Sequence, residues 1–529
     1  MSVISGIPVW KEFAPTPAPE TTESRETLVV GAGPVGLTVA LGLARLGRQV
    51  TIATRLHFIA AGSKAICFSK RTLDIWNRFG VARRMVEKGV IWNVGKVFRG
   101  ADPTPIYQFD MLPVKDQQMP GFINLQQYHA EEILLDALRA LPNVEIRWGH
   151  EVTAIDSRTD GGRGALRAAG GATYDIETGW LIACDGSRSP VRTMLNLDFE
   201  GRAFEDNFLI ADVKLKGNRP SERWFWFYPP FNPGRSALLH KQPDDVWRLD
   251  FQLGPQVDRE ACSRPETVEP LVRGMLGAEI DFTPEWYSLY TFQCRRMARF
   301  VHGRVLFAGD SAHLVSPFGA RGCNGGVADA ENLVWKLDLV LKGDAPESLL
   351  ESYNGEAIAT ADENILNSTR STDFMVPRSP GFRYLRDAVL DLAAAHDFAR
   401  PFVNSGRLST AVSYPSSVLN TPDRDGEAWS GIAPGSPALD APCNDGWLLD
   451  RIGGRFTILG LGLEAQVFSG LDIIDIAGDP RCDRITDRYD LVPGSAYLIR
   501  PDQYVAARWR RPTRADVGAA YARAMGTAP

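Results

Sequence analysis

The stretch from Thr27 to Ala53 limits the fold of this chain more than any other part of the sequence. A short apolar run, Leu28 to Val30, leads into three glycines with the spacing GxGxxG, which are Gly31, Gly33 and Gly36, and an apolar helical segment follows. In such a turn the first glycine allows the bend, the second lets the backbone approach a pyrophosphate, and the third lets helix and strand pack closely. The start of the helix, with its unpaired N–H groups, favours an anion. The stretch therefore predicts a dinucleotide-binding unit of strand, turn, helix and strand.

The end of the second strand departs from the usual dinucleotide pattern. A carboxylate that binds the ribose hydroxyls is usual at this position, whereas this sequence has Thr54 followed by Arg55. A threonine hydroxyl can bind a ribose, and an arginine can contact adenine or phosphate. Because an arginine here is also the way in which a 2′-phosphate is accepted, the stretch by itself leaves an NADP site open.

Composition excludes several classes of protein. At 529 residues the chain is long enough for two or three domains. A net charge of −6 and the lack of any Lys/Arg-rich run argue against nucleic-acid binding. The 7 cysteines are widely spaced and form no CxxC pair, which argues against a disulfide framework and a zinc site, and we expect no metal. Without a signal-peptide pattern or an apolar run of membrane length, we expect a cytoplasmic protein with no membrane partner.

The pattern of apolar residues changes along the chain and predicts its domains. Strand–helix alternation follows the glycine turn, the period-two alternation of an antiparallel sheet begins near residue 200, and a buried-strand pattern returns at residues 305–310. The predicted order is an N-terminal surface arm over residues 1–26, the first part of a nucleotide-binding domain over 27–200, a β-sheet substrate domain over 201–300, the second part of the nucleotide-binding domain with a helical region over 301–400, a linker over 401–432, and a last α/β domain over 433–529.

Two further motifs follow the glycine turn in the chain. They are Cys184-Asp-Gly-Ser-Arg-Ser-Pro-Val-Arg192 and Gly309-Asp-Ser-Ala-His-Leu-Val-Ser-Pro-Phe-Gly-Ala-Arg-Gly-Cys-Asn324. With these three motifs in order over about residues 27–370, the chain resembles the single-component FAD-dependent aromatic hydroxylases (group A flavoprotein monooxygenases), which include para-hydroxybenzoate hydroxylase and phenol hydroxylase. The resemblance implies an α/β protein whose Rossmann-like FAD-binding domain carries an inserted antiparallel β-sheet substrate lobe. It also assigns the glycine turn to FAD.

The resemblance implies a set of residues that bind FAD. In it Asp310 accepts hydrogen bonds from the ribityl chain, and the backbone of Cys323 and Asn324 lies at the pyrimidine edge of the flavin. Lys64 stands where many members have Arg, and Arg321 is either a cation near the ring or a loop arginine in solvent. The full set is Gly31, Gly33, Pro34, Val35, Gly36, Thr54, Arg55, Lys64, Gln127, Asp185, Gly309, Asp310, Pro317, Gly322, Cys323 and Asn324.

The resemblance also implies a reaction. NAD(P)H reduces FAD, O2 adds to give a flavin C4a-hydroperoxide, and one oxygen is transferred to a phenolic ring. Since deprotonation makes the phenol more nucleophilic, we expect a base, and the candidates from the sheet are Tyr228, His240 and Tyr290. Pro317, with Phe318, is expected on the substrate side of the flavin. The expected partners are a small aromatic substrate, such as a hydroxyphenylpropionate or a substituted phenol, and O2, with a homodimer left open.

Several arginines have two interpretations each. Arg188 and Arg192 either bind a nucleotide phosphate or form a local salt bridge. The sheet arginines either bind a substrate carboxylate or are solvated, and they are Arg223, Arg235 and Arg248.

The last domain resembles the thioredoxin-like domain appended to the phenol hydroxylase subgroup. Gly435 to Pro442 opens it, and Tyr497 to Arg508 matches its last hairpin. A redox domain of this kind needs a CxxC pair, but Cys443 and Cys482 stand alone. We therefore expect a structural α/β domain, at a subunit contact or elsewhere.

Other functions remain open on the sequence alone. Trp224-Phe-Trp-Phe-Tyr-Pro229 resembles the WxWxIP motif of flavin-dependent halogenases, although alternating aromatic residues are also typical of a β-strand. Baeyer–Villiger oxygenation or epoxidation could use the same scaffold. Thr54 and Arg55 also allow a non-catalytic NADP-binding module, which would be colourless.

Overall fold

The chain begins with a short arm and then alternates strands and helices, as the glycine turn predicts. The computed structural model describes residues 2–527 apart from residues 5, 63, 111–113, 159–160, 217–219, 378, 404–408, 425, 427 and 469. The elements of the first 200 residues are β1 (Ser2–Ile4), β2 (Ile7–Glu12), β3 (Glu23–Val30), α1 (Pro34–Arg45), β4 (Val50–Thr54), β5 (Phe58–Ala60), β6 (Cys67–Ser69), α2 (Lys70–Arg78), α3 (Ala82–Lys88), β7 (Val90–Ile91), β8 (Val94–Arg99), β9 (Tyr107–Asp110), β10 (Phe122–Asn124), α4 (Gln127–Arg139), β11 (Val144–Trp148), β12 (His150–Arg158), β13 (Gly161–Ala168), β14 (Thr173–Ala183) and α5 (Pro190–Met194).

The middle of the chain holds the long strands of a second sheet and the helices that complete the first domain. Its elements are β15 (Glu200–Leu215), β16 (Arg223–Phe227), β17 (Ser236–Lys241), β18 (Val246–Gly254), α6 (Pro265–Leu276), β19 (Phe282–Arg296), β20 (Val301–His302), β21 (Val305–Phe307), β22 (His313–Leu314), α7 (Gly322–Lys342), α8 (Leu349–Met375), α9 (Pro380–Ala395) and α10 (Arg400–Val403).

A five-stranded parallel sheet is the centre of the first domain. Its order is β11-β4-β3-β14-β21, and β14 also pairs antiparallel with β13. Leu28, Ile52 and Ile182 are fully buried within it, which explains why these strands read as continuous apolar runs. Parallel strands end at the same edge of a sheet, so the loops after β3, β4, β14 and β21 lie together, and these loops carry all three motifs.

The second sheet has eight strands, in the order β22-β19-β15-β18-β17-β16-β8-β9, and only the pairing of β16 with β8 is parallel. Because side chains along each strand point alternately to the two sides of the sheet, it has two faces, and both are apolar. Leu209 and Leu239 pack against α6 on the outer face, while Phe208 and Leu238 pack with Phe318 from the third motif. We call the face of Phe208 and Leu238 the inner face. Through the inner face, the substrate domain packs against the loops of the first domain.

The structure corrects two of the predicted boundaries. Strands β8 and β9 fall within residues 27–200 but belong to the second sheet, as does the short β22 after residue 300. Strand β8 joins by pairing with β16, more than 100 residues away, as in Lys96 with Trp224, and no local pattern reports this pairing. Strand β9 then pairs with β8, and β22 pairs with the end of β19. Between residues 200 and 300 the second sheet takes in β15 to β19, and α6 covers its outer face.

The C-terminal domain is built on a four-stranded sheet. Its elements are β23 (Pro442–Cys443), β24 (Gly446–Trp447), α11 (Leu448–Arg451), β25 (Thr457–Gly460), β26 (Asp472–Asp475), α12 (Asp483–Tyr489), β27 (Ala496–Ile499), β28 (Val505–Trp509) and α13 (Arg514–Ala524). The order β26-β25-β27-β28, with β25 and β26 parallel and the rest antiparallel, is that of a thioredoxin-like sheet. Cys443 and Cys482 are both free. The predicted linker, residues 401–432, includes residues 404–408, 425 and 427, which lie outside the described residues.

Buried charged side chains join the C-terminal domain to the first domain. Arg500 donates to both carboxylate oxygens of Glu356 in α8, at 2.6 and 2.9 Å, and Lys336 of α7 donates to the same carboxylate at 2.8 Å. Arg71 of α2 donates to the backbone carbonyl of Asp502 at 2.6 Å. The domain predicted to be structural is thus held against three helices of its own chain. None of the described helices is long and apolar enough to cross a membrane.

Candidate functional site

The glycine turn after β3 has the geometry that its spacing predicts. Gly31 has a φ of +108°, and a Cβ there would lie 2.4 Å from the carbonyl oxygen of Cys184. A Cβ on Gly36 would lie 2.1 Å from the carbonyl oxygen of Gly31, whereas a Cβ on Gly33 would meet no atom within 4 Å. Two of the glycines are therefore required by packing within the protein. Gly33 faces open space at the start of α1, where an anion is favoured.

Pro34 is the first residue of α1, where its missing N–H has no hydrogen bond to lose. Val35 packs against the third motif, since a Cβ on Gly309 would lie 2.9 Å from Val35 Cγ2. The first and third motifs therefore touch, and the start of α1 lies beside the turn that carries Asp310.

Asp310 lies in a tight turn after β21 and is exposed to solvent. A buried pair fixes this turn, because Asp329 Oδ2 accepts the Gly309 N–H at 3.0 Å and lies 2.6 Å from His313 Nε2. Burial alone would lower the pKa of His313, but Asp329 raises it overall. The protein atoms that surround the Asp310 carboxyl partly desolvate it and so raise its pKa. A rigid turn thus presents a carboxylate that has an open approach, which suits the hydroxyls of a polyol.

The first turn of α7 lies at the same edge of the parallel sheet as the start of α1. The N–H groups of Gly322, Cys323 and Asn324 have no partners within the helix. The Asn324 side chain is already used, because it accepts hydrogen bonds from Ser69 N at 2.9 Å and Thr72 Oγ1 at 2.6 Å. Only the backbone of Asn324 is therefore left for a ligand. Burial raises the pKa of the Cys323 thiol, which stays protonated.

Gln127 begins α4 and contributes to the same region. Its Oε1 accepts the Ala65 N–H at 3.1 Å, and its Nε2 donates to Glu131 at 2.8 Å. Lys64, next to Ala65, is exposed. Burial raises the pKa of Glu131 to about 7. Sequence reasoning missed Glu131, although its i+4 spacing from Gln127 on one helix face was a readable signal.

The ends of β4 and β14 complete the edge. Thr54 is buried and Arg55 is exposed, and neither position holds the usual carboxylate. Asp185 accepts the Val191 N–H at 3.0 Å, while its other oxygen, Oδ1, is buried without a partner among the described residues. Arg192 donates to the backbone carbonyls of Ser311 and Ser187, at 2.7 and 2.8 Å. Arg192 therefore ties the second motif to the third, and it does not present its charge to a phosphate.

The inner face of the second sheet brings two of the predicted side chains toward this edge. Tyr290 of β19 stands opposite Phe208, and burial together with the nearby charge of Asp310 raises its pKa to about 12. His240 of β17 is buried on the same face. Pro317 is exposed at the start of the loop in which Phe318 is buried.

Three further predicted side chains contact other residues or face solvent. Tyr228 has a φ of +55°, and its hydroxyl donates to Asp387 of α9 at 2.9 Å. Arg235 is exposed at the start of β17. The buried Arg321 donates to Asn364 of α8 at 3.1 Å. The structure thus offers no support for a base at Tyr228 or for a solvated Arg321.

The aromatic strand β16 has a structural explanation. Trp224 and Trp226 pack around Phe98 with ring centroids 5.5 and 5.3 Å apart, on the face opposite to Phe225. These contacts explain the alternation that resembled a halogenase motif.

The residues at the edge fit FAD. The open space over Gly33 and the start of α1 suit the pyrophosphate, Asp310 suits the ribityl hydroxyls, and the N–H groups of α7 suit a ring that becomes negative on reduction. The unpaired buried oxygen of Asp185 beside Gly31 is a further acceptor for a ligand hydroxyl.

We predict that Asp310→Ala weakens FAD binding by about 10- to 100-fold, because one or two charge-assisted hydrogen bonds of about 1.5–3 kcal/mol are lost. The apo fold should be unchanged or more stable, since the variant removes a carboxylate whose pKa is raised in the folded protein. Fluorescence titration of apo protein with FAD measures the first effect and urea unfolding the second. Asp344→Ala, at an exposed turn after α7, is the control. Equal FAD affinity in the Asp310 and Asp344 variants would contradict the assignment.

Comparison with known proteins gives consistent results. Residues 24–368 match the model of a protein family described as FAD binding domain. A protein of Rhodococcus jostii named "Probable NADH-specific resorcinol 4-hydroxylase" is 28% identical over 513 residues, covering 91% of each chain. The 3-(3-hydroxy-phenyl)propionate/3-hydroxycinnamic acid hydroxylase of Escherichia coli is 28% identical over 527 residues, covering 92% of each chain. The crystal structure of the flavin-dependent monooxygenase PieE, in complex with FAD and substrate, superposes with a TM-score of 0.81 at 22% identity, covering 97% of this chain and 100% of that one.

Proposed function

This chain belongs to the family defined by the FAD binding domain, and on that premise we propose that it hydroxylates a phenolic compound with NAD(P)H and O2. The comparisons confirm the family, the fold class, the FAD cofactor and the class of enzyme expected from the sequence, an FAD-dependent aromatic hydroxylase. Two relatives are named for resorcinol and for a hydroxyphenylpropionate, which supports a substituted phenol as substrate.

One observation carries the proposal. The edge where Gly33, Asp310 and the start of α7 meet lies beside the inner face of a sheet lined by aromatic side chains. When bound there, FAD would accept hydride from NAD(P)H and activate O2. Phe208 and Phe318 would exclude water from the ring of the substrate. The backbone N–H groups of α7 would stabilise negative charge at the edge of the flavin ring.

The experiment is a screen of phenols against the FAD-loaded protein. We expect a subset of them to stimulate oxidation of NADH or NADPH and to yield a product heavier by one oxygen atom in mass spectrometry. Oxidation without an oxygenated product from any phenol, or a purified protein that neither contains nor takes up FAD, would contradict the proposal.

We also propose that the protein forms a homodimer through α9 and α10. Five large apolar side chains on this segment are 58–75% exposed, and they are Phe382, Tyr384, Leu385, Phe398 and Phe402. Such a patch is unusual on a monomer and is typical of an interaction site. In sedimentation velocity we expect the wild type to be a dimer and the double variant Phe398→Ser with Phe402→Ser to be a monomer. A wild type that is monomeric at micromolar concentration would contradict this.

A further inference from the structure

A row of polar side chains crosses the inner face of the second sheet. His240 of β17 stands opposite Arg248 of β18, which stands opposite Asp212 of β15. Arg223 of β16 comes next to the Trp224–Leu239 pair and therefore stands opposite His240 on its other side. Cβ atoms of directly opposed residues are about 4.5–5.5 Å apart. Three basic side chains are thus neighbours on one buried surface.

Two members of the row each have one unpaired nitrogen among the described residues. Arg248 is neutralised, because Asp212 accepts from its Nε at 2.8 Å and its Nη2 at 2.7 Å. His240 Nε2 lies 3.4 Å from Asp250 Oδ2, but His240 Nδ1 and Arg223 Nη1 are buried without a hydrogen-bond partner among the described residues. A buried polar atom without a hydrogen-bond partner destabilises the folded protein. Two of them side by side indicate the place of a ligand oxygen.

The surroundings place this ligand beside the third motif. The Arg223 guanidinium lies 5.8 Å from the ring of Trp92, and Trp92 and Cys67 pack with Ala320 of the Pro317–Ala320 loop. Leu238, two residues before His240, packs in the same cluster as Phe318. The two unpaired nitrogens therefore belong to residues that lie close to the Pro317–Ala320 loop, on the substrate side.

We propose that His240 and Arg223 ionise the phenol of the substrate, an assignment that rests on the proposed function. The hydroxyl proton moves to His240 Nδ1, the electron pair of the O–H bond stays on oxygen, and Arg223 binds the phenolate oxygen. Asp250 faces Nε2 and so favours the tautomer with its proton there, which leaves Nδ1 as the acceptor. No oxidant or second reactant is needed for this step.

The charges around His240 keep its imidazole uncharged before the substrate binds. Burial, then the charge of Arg223, lowers its pKa to about 4, against the opposing effect of Asp250 and with a further lowering by Arg248. The imidazole is therefore neutral at physiological pH but a weak base on its own. The negative charge of a phenolate bound between His240 and Arg223 would offset the effect of Arg223 and raise the pKa of His240. Cys67 faces the same group from β6, and burial keeps it a thiol by raising its pKa. The other candidate on this face, Tyr290, is itself a protonated phenol at neutral pH.

The test compares His240→Gln with wild type, both loaded with FAD, on a productive phenol of the screen near neutral pH. We expect turnover to fall by about 100-fold, because general-base assistance is worth 10²–10⁴-fold. The defect should shrink as pH approaches the pKa of the phenol, and it should be small for nitro- or fluoro-substituted phenols that are already ionised. Arg223→Met should stay impaired on both kinds of phenol, since the phenolate still lacks its cation.

His129→Gln is the matched control, because His129 also lies against an aspartate, Asp244, at 3.0 Å, but on α4. It should leave the pH profile unchanged. A His240→Gln enzyme with wild-type turnover, or with an equal defect at every pH and for every phenol, would overturn this assignment while the proposed function stands. A wild type that gives no oxygenated product from any phenol would overturn the proposed function and this assignment with it.

Discussion

Gly33→Ala should weaken FAD binding by about 10- to 100-fold while the apo protein stays folded. A Cβ on Gly33 meets no protein atom within 4 Å and the backbone there is extended, so we expect a loss of apo stability of about 1 kcal/mol or less, the usual scale for a helix N-cap. The same methyl group would stand where the pyrophosphate must approach the backbone. Loss of one or two charge-assisted hydrogen bonds would weaken binding by about 10- to 100-fold.

Gly36→Ala is the variant to compare with Gly33→Ala. Its Cβ would lie 2.1 Å from the Gly31 carbonyl oxygen, so the helix or the turn must shift, and we expect a loss of apo stability of about 3 kcal/mol. Urea unfolding of the apo proteins and fluorescence titration with FAD separate the two effects. Wild-type FAD affinity in Gly33→Ala would contradict the assignment of the turn to the pyrophosphate.

Glu356→Gln should destabilise the protein by about 3–5 kcal/mol, the usual cost of removing one partner of a buried ion pair. Glu356 receives hydrogen bonds from Arg500 of the C-terminal domain and from Lys336, and all three side chains are buried. Removal of the carboxylate leaves the Lys336 ammonium without its counter-charge. We therefore expect the C-terminal domain to separate from the first domain at lower urea concentration, as intrinsic fluorescence and limited proteolysis would show.

Glu351→Gln, on the same helix, is the control. Glu351 pairs with Arg299, both about half exposed, and such a surface pair contributes about 0–1 kcal/mol. Equal stability of the Glu356 and Glu351 variants would contradict the role given to the buried network.

The Glu356 effect should depend on pH in a defined direction. Burial alone would raise the pKa of Glu356, but Arg500 and Lys336 lower it below the usual 4.5. Its contribution is therefore complete above pH 4.5 and is lost as pH falls further, because the unfolded chain then takes up a proton that the folded protein does not. The stability difference between wild type and Glu356→Gln should shrink as pH falls below 4.5.

The sequence allowed prediction of the parts of this molecule that depend on local pattern. The glycine turn and the buried strand that precedes Asp310 each follow from neighbouring residues, and the structure has them where they were expected. The period-two strands of the substrate domain were likewise readable.

Features that depend on distant partners could not be predicted. The sequence makes Tyr228 a candidate base, but in the structure its hydroxyl donates a hydrogen bond to Asp387, 159 residues away. The sequence allows Arg192 to bind a phosphate, but in the structure it donates a hydrogen bond to the backbone carbonyl of Ser311. His240 was one of several candidates, and only the register of three strands gives it Arg223 and Asp250 as neighbours. Strand register is set by packing across the whole sheet, and for this reason a local pattern cannot report it.

The central claim is that this protein inserts one atom of O2 into a phenolic ring. The most direct test is turnover of a productive phenol with NADH or NADPH under ¹⁸O2, followed by mass spectrometry of the product. We predict that one ¹⁸O atom appears in each product molecule, with one equivalent of reduced nicotinamide consumed per product when the reaction is fully coupled. Product oxygen derived from water, or nicotinamide oxidation that yields only hydrogen peroxide, would contradict the claim.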